Sequence, residues 1–261
     1  MSKPNVLFID IETAPKLAYV WKFFKENISP KQVKDHGRIM SFSAIWNNDK
    51  DKNVVYFENR TEDDTGIVMV MLRLLDEADI IVGHNVDYFD LATINARAVV
   101  LGLKPPSPYK IIDTYKVSKK QFKFESNSLE YLSEVLPIKH KKLQHKNYPG
   151  FDLWLSCIAQ DPKAWKEMRL YNINDTLAVR DIYEIFRPWI KNHPNFGVYS
   201  DDLRPVCSKC GSHHIHFRGY GPGNSNVSQY RKFVCLDCGG WSRTRFSEKS
   251  KEAKKVLLTN G

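Results

Sequence analysis

Several scarcities narrow the reading of this 261-residue chain before any motif is considered. No apolar run approaches the ~20 residues that a membrane-spanning helix requires. Stretches such as Ala98-Val99-Val100-Leu101 fall far short, so no membrane partner is expected. The N-terminus reads Met-Ser-Lys-Pro and then enters a strand-like run, without the long apolar segment of a signal peptide. That predicts an intracellular, cytoplasmic protein. Cysteine is sparse, with five residues, and an odd number argues against a disulfide framework. Internal repeats and low-complexity tracts are absent, which sets repeat architectures aside. Acidic residues are scarce only at one end: Leu203–Gly261 holds 11 Lys/Arg against 3 Asp/Glu, a balance of +8. The preceding 202 residues hold 28 against 27, close to neutral. Such asymmetry points to a polyanionic partner, most often nucleic acid, or to a solvated basic tail. What remains, 42% hydrophobic and 26% charged residues, describes an ordinary globular chain. It is long enough for one medium and one small domain.

Short β-branched and apolar runs predict strands at Asn5–Ile9, Arg38–Trp46, Asn53–Phe57, Asp79–Gly83 and Tyr109–Thr114. Asp63-Asp64-Thr65 reads as a helix start, with Val68, Met71, Leu72 and Leu75 on one face. Further helices are expected from about Phe89 to Gly102 and over 128–136, 151–159 and 162–190. In the third of these, Phe151, Trp154, Leu155 and Ile158 have helical spacing, and Cys157 reads as a packing residue. Strands first, then alternation, then helices suggest an α/β protein whose mixed sheet is flanked by helices. Turn formers and two prolines over 192–205 place a domain boundary there.

Three acidic segments stand out. Asp10 and Glu12 end the first strand, and alternate strand residues face the same way. Two adjacent carboxylates repel unless a cation neutralises them. Asp87 and Asp90 follow a strand end at Gly83-His84-Asn85. Tyr171 and Asp175 lie four apart in a helical pattern, on one face. Asp113, at another strand end, reads as structural or supporting. His84, His140 and His145 have no partner that spacing identifies.

Taken together, D-x-E-T (Asp10, Glu12, Thr13), N-x-x-x-F-D (Asn85, Phe89, Asp90) and Y-x-x-x-D (Tyr171, Asp175) resemble the three motifs of the DEDD exonucleases. These belong to the ribonuclease H-like (DnaQ-like) superfamily. The tyrosine matches the DEDDy branch, found in proofreading domains of DNA polymerases. The DEDDh branch has a histidine five positions before the last aspartate, where this chain has Leu170. Ile11–Pro15, Asp76–Asp79, Pro105–Lys110 and Ile112–Thr114 are further similar to stand-alone bacteriophage exonucleases with a C-terminal zinc ribbon. The resemblance spans roughly residues 5–195 and the cysteine-rich end. It implies a ribonuclease H-like fold and a 3′–5′ exonuclease in the cytoplasm of a bacterial or phage-infected cell. It also implies two Mg²⁺ or Mn²⁺ ions. Asp10 would bridge them, Glu12 and Asp175 would complete the site of the ion that activates water, and Asp90, favoured over Asp87, would hold the other. Tyr171 would orient the attacking water. Thr13 and Asn85 become candidates for contacting the strand.

The chemistry agrees. Phosphodiester hydrolysis builds charge on the leaving oxygen, and two ions about 3.5–4 Å apart can clamp attacking and leaving oxygens. Mg²⁺ takes hard oxygen ligands, which fits four carboxylates. Phe122 and Phe124, among Lys119, Lys120 and Lys123, form a stretch that either touches a strand or anchors a loop.

Near the C-terminus, Cys207-x-x-Cys210-Gly and Cys235-x-x-Cys238-Gly are two zinc knuckles separated by 24 residues. Four thiolates leave no open position, so a bound Zn²⁺ would be structural. The spacer is long because Gly219–Asn224 is expected to form a flexible loop. His213, His214 and His216 are not needed as ligands. Arg218, Arg231, Lys232, Trp241, Arg243 and Arg245 suit contact with nucleic acid, while docking on a replication protein is the rival.

The expectation is therefore an exonuclease domain over 1–195, a linker over 196–205, a four-cysteine zinc ribbon over 206–246 and a basic tail over 247–261. The expected activity is release of nucleoside 5′-monophosphates from single-stranded DNA. The alternatives are a structure-specific or RNA-directed nuclease with the same site, or a non-catalytic replication adaptor.

Overall fold

The computed structural model describes residues 3–145, 147–222 and 227–258. The chain divides into two compact units, Asn5–Tyr183 and Met1–Pro4 with Glu184–Gly261.

The larger unit contains β1 (Val6–Thr13), β2 (Leu17–Ala18), β3 (Val33–Asp35), β4 (Ile39–Trp46), β5 (Val55–Glu58), α1 (Thr65–Glu77), β6 (Ile80–Gly83), α2 (Asp90–Val100), β7 (Lys110–Asp113), α3 (Thr114–Gln121), α4 (Leu129–Val135), α5 (Asp152–Ile158) and all but the last three residues of α6 (Pro162–Phe186). Five strands form one mixed sheet in the order β5-β4-β1-β6-β7. β1 runs antiparallel to β4 and parallel to β6, and β6 runs parallel to β7. The small β2–β3 pair stands apart from this sheet.

Alternation along β1 explains the layering. Leu7, Ile9 and Ile11 join one core with Phe42 and Ala44 of β4, the apolar faces of α1 (Ile67, Val68, Met71, Leu72, Leu75) and α2 (Leu91, Ile94, Ala98). The even residues Phe8, Asp10 and Glu12 point to the other face, under α5 and α6. Phe8 meets Tyr183 edge-on at 5.4 Å. Ser41 and Ser43 of β4 are fully buried on that face, their hydroxyls bonded to the Asn172 side chain (3.3 Å) and carbonyl (2.8 Å) of α6.

α5 differs from its sequence pattern. Phe151, Leu155 and Ile158 are exposed, whereas Leu153 and Cys157 are fully buried with Trp165 and Met168. The i, i+4 pair Leu153–Cys157 is the core face, packed with Trp165 and Met168, and the Trp165 indole N–H bonds the Cys157 carbonyl beside it. α3 has no counterpart in the apolar pattern. Asp113 starts it as a cap, accepting the Tyr115 and Lys116 N–H groups, so the strand stops at Asp113.

The second unit carries β8 (Ile215–Pro222), β9 (Gln229–Cys235) and β10 (Trp241–Arg243), antiparallel in the order β10-β9-β8, and then α7 (Lys251–Lys255). Gly219–Pro222 of the expected loop is strand, and Tyr220, Gly221 and Pro222 pair with Arg231, Tyr230 and Gln229. Gly219, at φ +81°, marks the register slip that lets β8 continue. Gly223 and Asn224 lie outside the described residues. Residues 196–199 form a 3₁₀ turn, and the Phe196 N–H bonds the Ser208 carbonyl. Among the described residues, no helix is long and apolar enough to cross a membrane.

Candidate active site

Three elements bring the expected acids together. The first is β1, whose even residues face α6. The Asp10 carboxylate accepts the Asn172 side-chain N–H at 2.6 Å, and Glu12 accepts the Trp154 indole N–H at 3.2 Å. The second is the turn from β6 into α2. Gly83 is required there, since a Cβ would lie 2.5 Å from Val86 Cβ and 3.2 Å from the Ile9 carbonyl oxygen. Asn85 adopts φ +62°, and its N–H bonds Asp113 at 3.0 Å. Asp90 opens α2 and accepts the Ile11 N–H of β1 at 3.0 Å, joining the second motif to the first. The third is α6, where Tyr171 and Asp175 lie one turn apart and both are buried. Asp87 is exposed and paired with Lys116, away from this group.

Lys142, in the segment before α5, joins the site with no motif to announce it. Its ammonium bonds the Tyr171 hydroxyl at 2.7 Å, sits 4.4 Å from that ring's centroid and pairs with Asp175. Burial opposes its charge, but Asp175 and Tyr171 more than compensate, so it stays an ammonium. His145 meets Tyr171 and Trp154 edge-on at 5.3 and 5.7 Å. Asn172, Trp154, His145 and Lys142 thus line the group. The sequence marks Trp154 only as part of an apolar stripe and His145 as a histidine without an identified partner, and it gives no sign of Asn172 or Lys142.

Electrostatics couples the four carboxylates. Burial first, then the charges of Asp90, Asp175 and Glu12, holds Asp10 well above the ordinary carboxylate range. Burial and then Asp175 push Glu12 up to about 8. Burial raises Asp90 to about 7, despite the Ile11 hydrogen bond. Asp175 is also raised by burial, against the pull of Lys142. Burial and then Asp175 keep the Tyr171 hydroxyl protonated.

This arrangement suits hard divalent cations. One oxygen of Asp175, Oδ1, is buried without a hydrogen-bond partner. The Lys142 ammonium already places positive charge against the other carboxylate oxygen. The donors are all oxygens. Among the described residues, only the cysteines gather three or more such ligand atoms within 4.8 Å of one another, so Asp10, Glu12 and Asp175 would have to draw closer to share one ion.

Thr13 lines two clefts beside these acids. One, about 660 Å³, includes Lys16, Arg38, Phe89 and Arg97, and the other, about 270 Å³, includes Pro15, Phe151 and Trp154. Phe122 and Phe124 are half-buried, with ring centroids 5.4 Å apart. His84 bonds Thr114 and the Asn127 carbonyl, and burial lowers it to about 4. His140 bonds Asp181.

In the other unit, the sulfurs of Cys207, Cys210, Cys235 and Cys238 converge. Cys207–Cys238 and Cys210–Cys235 are each 3.6 Å apart. A tetrahedron with Zn–S of about 2.3 Å has edges of about 3.8 Å, so the cluster fits zinc. The knuckles match: the Gly211 and Gly239 N–H groups return to the Cys207 and Cys235 carbonyls, and both glycines have positive φ. Arg218, Arg231, Trp241, Arg243 and Arg245 are exposed and Lys232 is half-buried. Arg231 faces Glu248 at 3.3 Å, and Arg243 lies 4.0 Å from the Tyr230 ring centroid. His213 and His214 face Asp202 and Asp237, not the thiols.

A family model described as the RNase_H superfamily matches residues 31–187. The match begins after Asp10 and Glu12. No curated protein matches the chain. Among solved structures, the family B DNA polymerase from the hyperthermophilic archaeon Pyrobaculum calidifontis is similar, with a TM-score of 0.55 and 16% identity. The similarity covers 72% of this chain but 25% of the polymerase, so this chain corresponds to a quarter of that protein's length. At this identity the likeness concerns the fold.

Proposed function

From the premise that this chain belongs to the RNase H superfamily, we propose that it is a metal-dependent 3′–5′ exonuclease of the DEDDy type. Its proposed substrate is single-stranded DNA, released as nucleoside 5′-monophosphates. One observation carries the reading: folding gathers Asp10, Glu12, Asp90 and Asp175 from across 166 residues of sequence, with Asn172 bonded to Asp10, Trp154 to Glu12 and the Ile11 N–H to Asp90, and Tyr171 one turn from Asp175 on α6. A fold has little reason to gather four mutually repelling acids unless a cation belongs among them.

Asp10 would be shared by two Mg²⁺ or Mn²⁺ ions, Glu12 and Asp175 would complete one site, and Asp90 the other. When bound, such ions neutralise the carboxylates, lower the pKa of a water nucleophile and stabilise the leaving oxygen. The chain's own groups do the positioning. Asn172 fixes Asp10, Trp154 fixes Glu12 and the Ile11 N–H fixes Asp90. The Tyr171 hydroxyl, held by Lys142, keeps its proton and can donate to an attacking water. The Lys142 ammonium can meet the phosphate charge. In the second unit, zinc held by the four thiolates would fold residues 206–246. Arg218, Lys232, Trp241, Arg243 and Arg245 would then supply a tethered second contact with the strand.

The test incubates purified protein with 5′-labelled single-stranded DNA, duplex DNA and RNA, with and without Mg²⁺ or Mn²⁺. A stepwise ladder on single-stranded DNA that requires the ion supports the proposal. Internal fragments would favour an endonuclease, and no cleavage of any substrate would leave a nucleic-acid-binding adaptor.

A further inference from the structure

An aromatic arm projects between β1 and β4 that the active-site reading does not use. Trp21, Phe23 and Phe24 are 92%, 95% and 85% exposed, with Tyr19 and Ile28 exposed beside them. Large rings this accessible on one short segment are costly to leave in water and mark a binding surface.

The arm is built, not frayed. Leu17 and Ala18 pair with Asp35 and Val33 at its base. The Tyr19 N–H bonds the Gln32 carbonyl at 2.9 Å, and the Gln32 side chain returns to the Tyr19 carbonyl at 3.0 Å. The Glu26 carboxylate accepts the Trp21 and Lys22 N–H groups at 2.9 and 2.6 Å and the Gln32 amide at 3.0 Å. Its root is welded to the catalytic strand. The Ala14 N–H bonds the Arg38 carbonyl, and Gly37, at φ +78°, leaves only 2.7 Å between a Cβ and the Ala14 oxygen.

Charge selects the occupant. Lys16, Lys22, Lys25, Lys31 and Lys34 are exposed, and none forms an ion pair among the described residues. The acids between them are already engaged: Glu26 holds the arm together, and Asp35 accepts the Gly37 N–H and faces Arg38. A second copy would bring the same lysines face to face. Flat rings interleaved with uncompensated cations match unpaired bases on a phosphate backbone. The base of the arm adjoins the cleft of Thr13, Pro15, Phe151 and Trp154, and Trp154 bonds Glu12.

We infer that residues 19–28 form a base-stacking platform for single-stranded nucleic acid, holding the part of the strand that leads away from the carboxylates. The inference rests on the proposed nuclease reading for the strand's course, but its test does not need cleavage. The triple variant Trp21→Ala/Phe23→Ala/Phe24→Ala removes only exposed side chains, so its melting temperature should match wild type. Anisotropy with a fluorescein-labelled 20-nucleotide oligothymidylate, without divalent cation, gives Kd for both proteins. Stacking of about 1–3 kcal/mol per base corresponds to about 5- to 150-fold per base, so at least about tenfold weaker binding is expected. With an abasic oligonucleotide of the same length, the two proteins should differ by less than about twofold.

Unchanged Kd on oligothymidylate overturns the platform, as does an equal loss on the abasic strand. So does sedimentation showing that wild type self-associates and the variant does not, with Kd unchanged. Wild type that binds through the arm but never cuts with Mg²⁺ would sink the exonuclease reading while supporting the platform.

Discussion

Divalent cation should stabilise this protein more as pH rises, and the increment can be worked from the site. In the metal-free protein Glu12 is raised from 4.5 to about 8 and Asp90 from 3.8 to about 7. Groups whose folded pKa is raised favour folding while protonated. That contribution is complete below their unfolded pKa and is lost as pH climbs through about 7–8. At 1.36 kcal/mol per pKa unit, the two shifts set a ceiling of about 9 kcal/mol. The carboxylates share the same repulsions and Glu12 is only half-buried, so a few kcal/mol is the realistic size. A cation that neutralises the acids restores this loss. At about 2–4 °C per kcal/mol for a chain of this size, Mg²⁺ should raise Tm by about 5–10 °C at pH 8.5 and by little at pH 6.

The assay is scanning calorimetry of dialysed protein with and without Mg²⁺; strong chelators are avoided because they would also strip zinc. The difference between paired scans is the proper readout. His84 and His193, lowered to about 4 by burial, destabilise the fold as pH falls below about 6.5 whether or not Mg²⁺ is present. In Asp10→Asn the amide oxygen can still accept the Asn172 hydrogen bond while one repelling charge is gone. The metal-free variant should therefore be more stable than wild type at pH 8.5, and its Mg²⁺ increment should nearly vanish. A Mg²⁺ increment independent of pH, or unchanged in Asp10→Asn, would refute the reasoning.

Three further outcomes are expected. Asp10→Ala should abolish cleavage while Kd for single-stranded DNA stays the same or falls; a variant that cuts like wild type would show that the site is misassigned. Cys207→Ser should release the bound metal, measured by a colorimetric zinc assay, and weaken DNA binding, whereas unchanged Kd would remove the strand-binding role of that unit. Trp165→Ala empties a fully buried position bonded to the Cys157 carbonyl, and its cost of about 3–5 kcal/mol should appear as a Tm loss of about 6–20 °C by calorimetry.

Much of the framework was legible locally. Short β-branched runs marked all five strands of the main sheet, because a buried strand needs only a few apolar residues in a row. The pairing of Asp10 with Glu12 followed from the two-residue period, and that of Tyr171 with Asp175 from the helical turn. The Cys-x-x-Cys pairs were equally plain, since each knuckle is a local turn. The same periodicity misled at α5, where an apolar stripe lies exposed and the buried side carries Leu153 and Cys157. It was silent on α3, whose start depends on the Asp113 cap more than on any apolar pattern.

The sequence by itself determined which acids, thiols and rings exist and which near neighbours share a face. Tertiary structure decided that Asp90 reaches the Ile11 backbone, that Lys142 serves Asp175 from 33 residues away, and that Trp21, Phe23 and Phe24 stay outside. Periodicity reports the side of an element on which a residue lies. What that side meets depends on contacts between distant segments, which burial and charge settle only when the whole chain has folded.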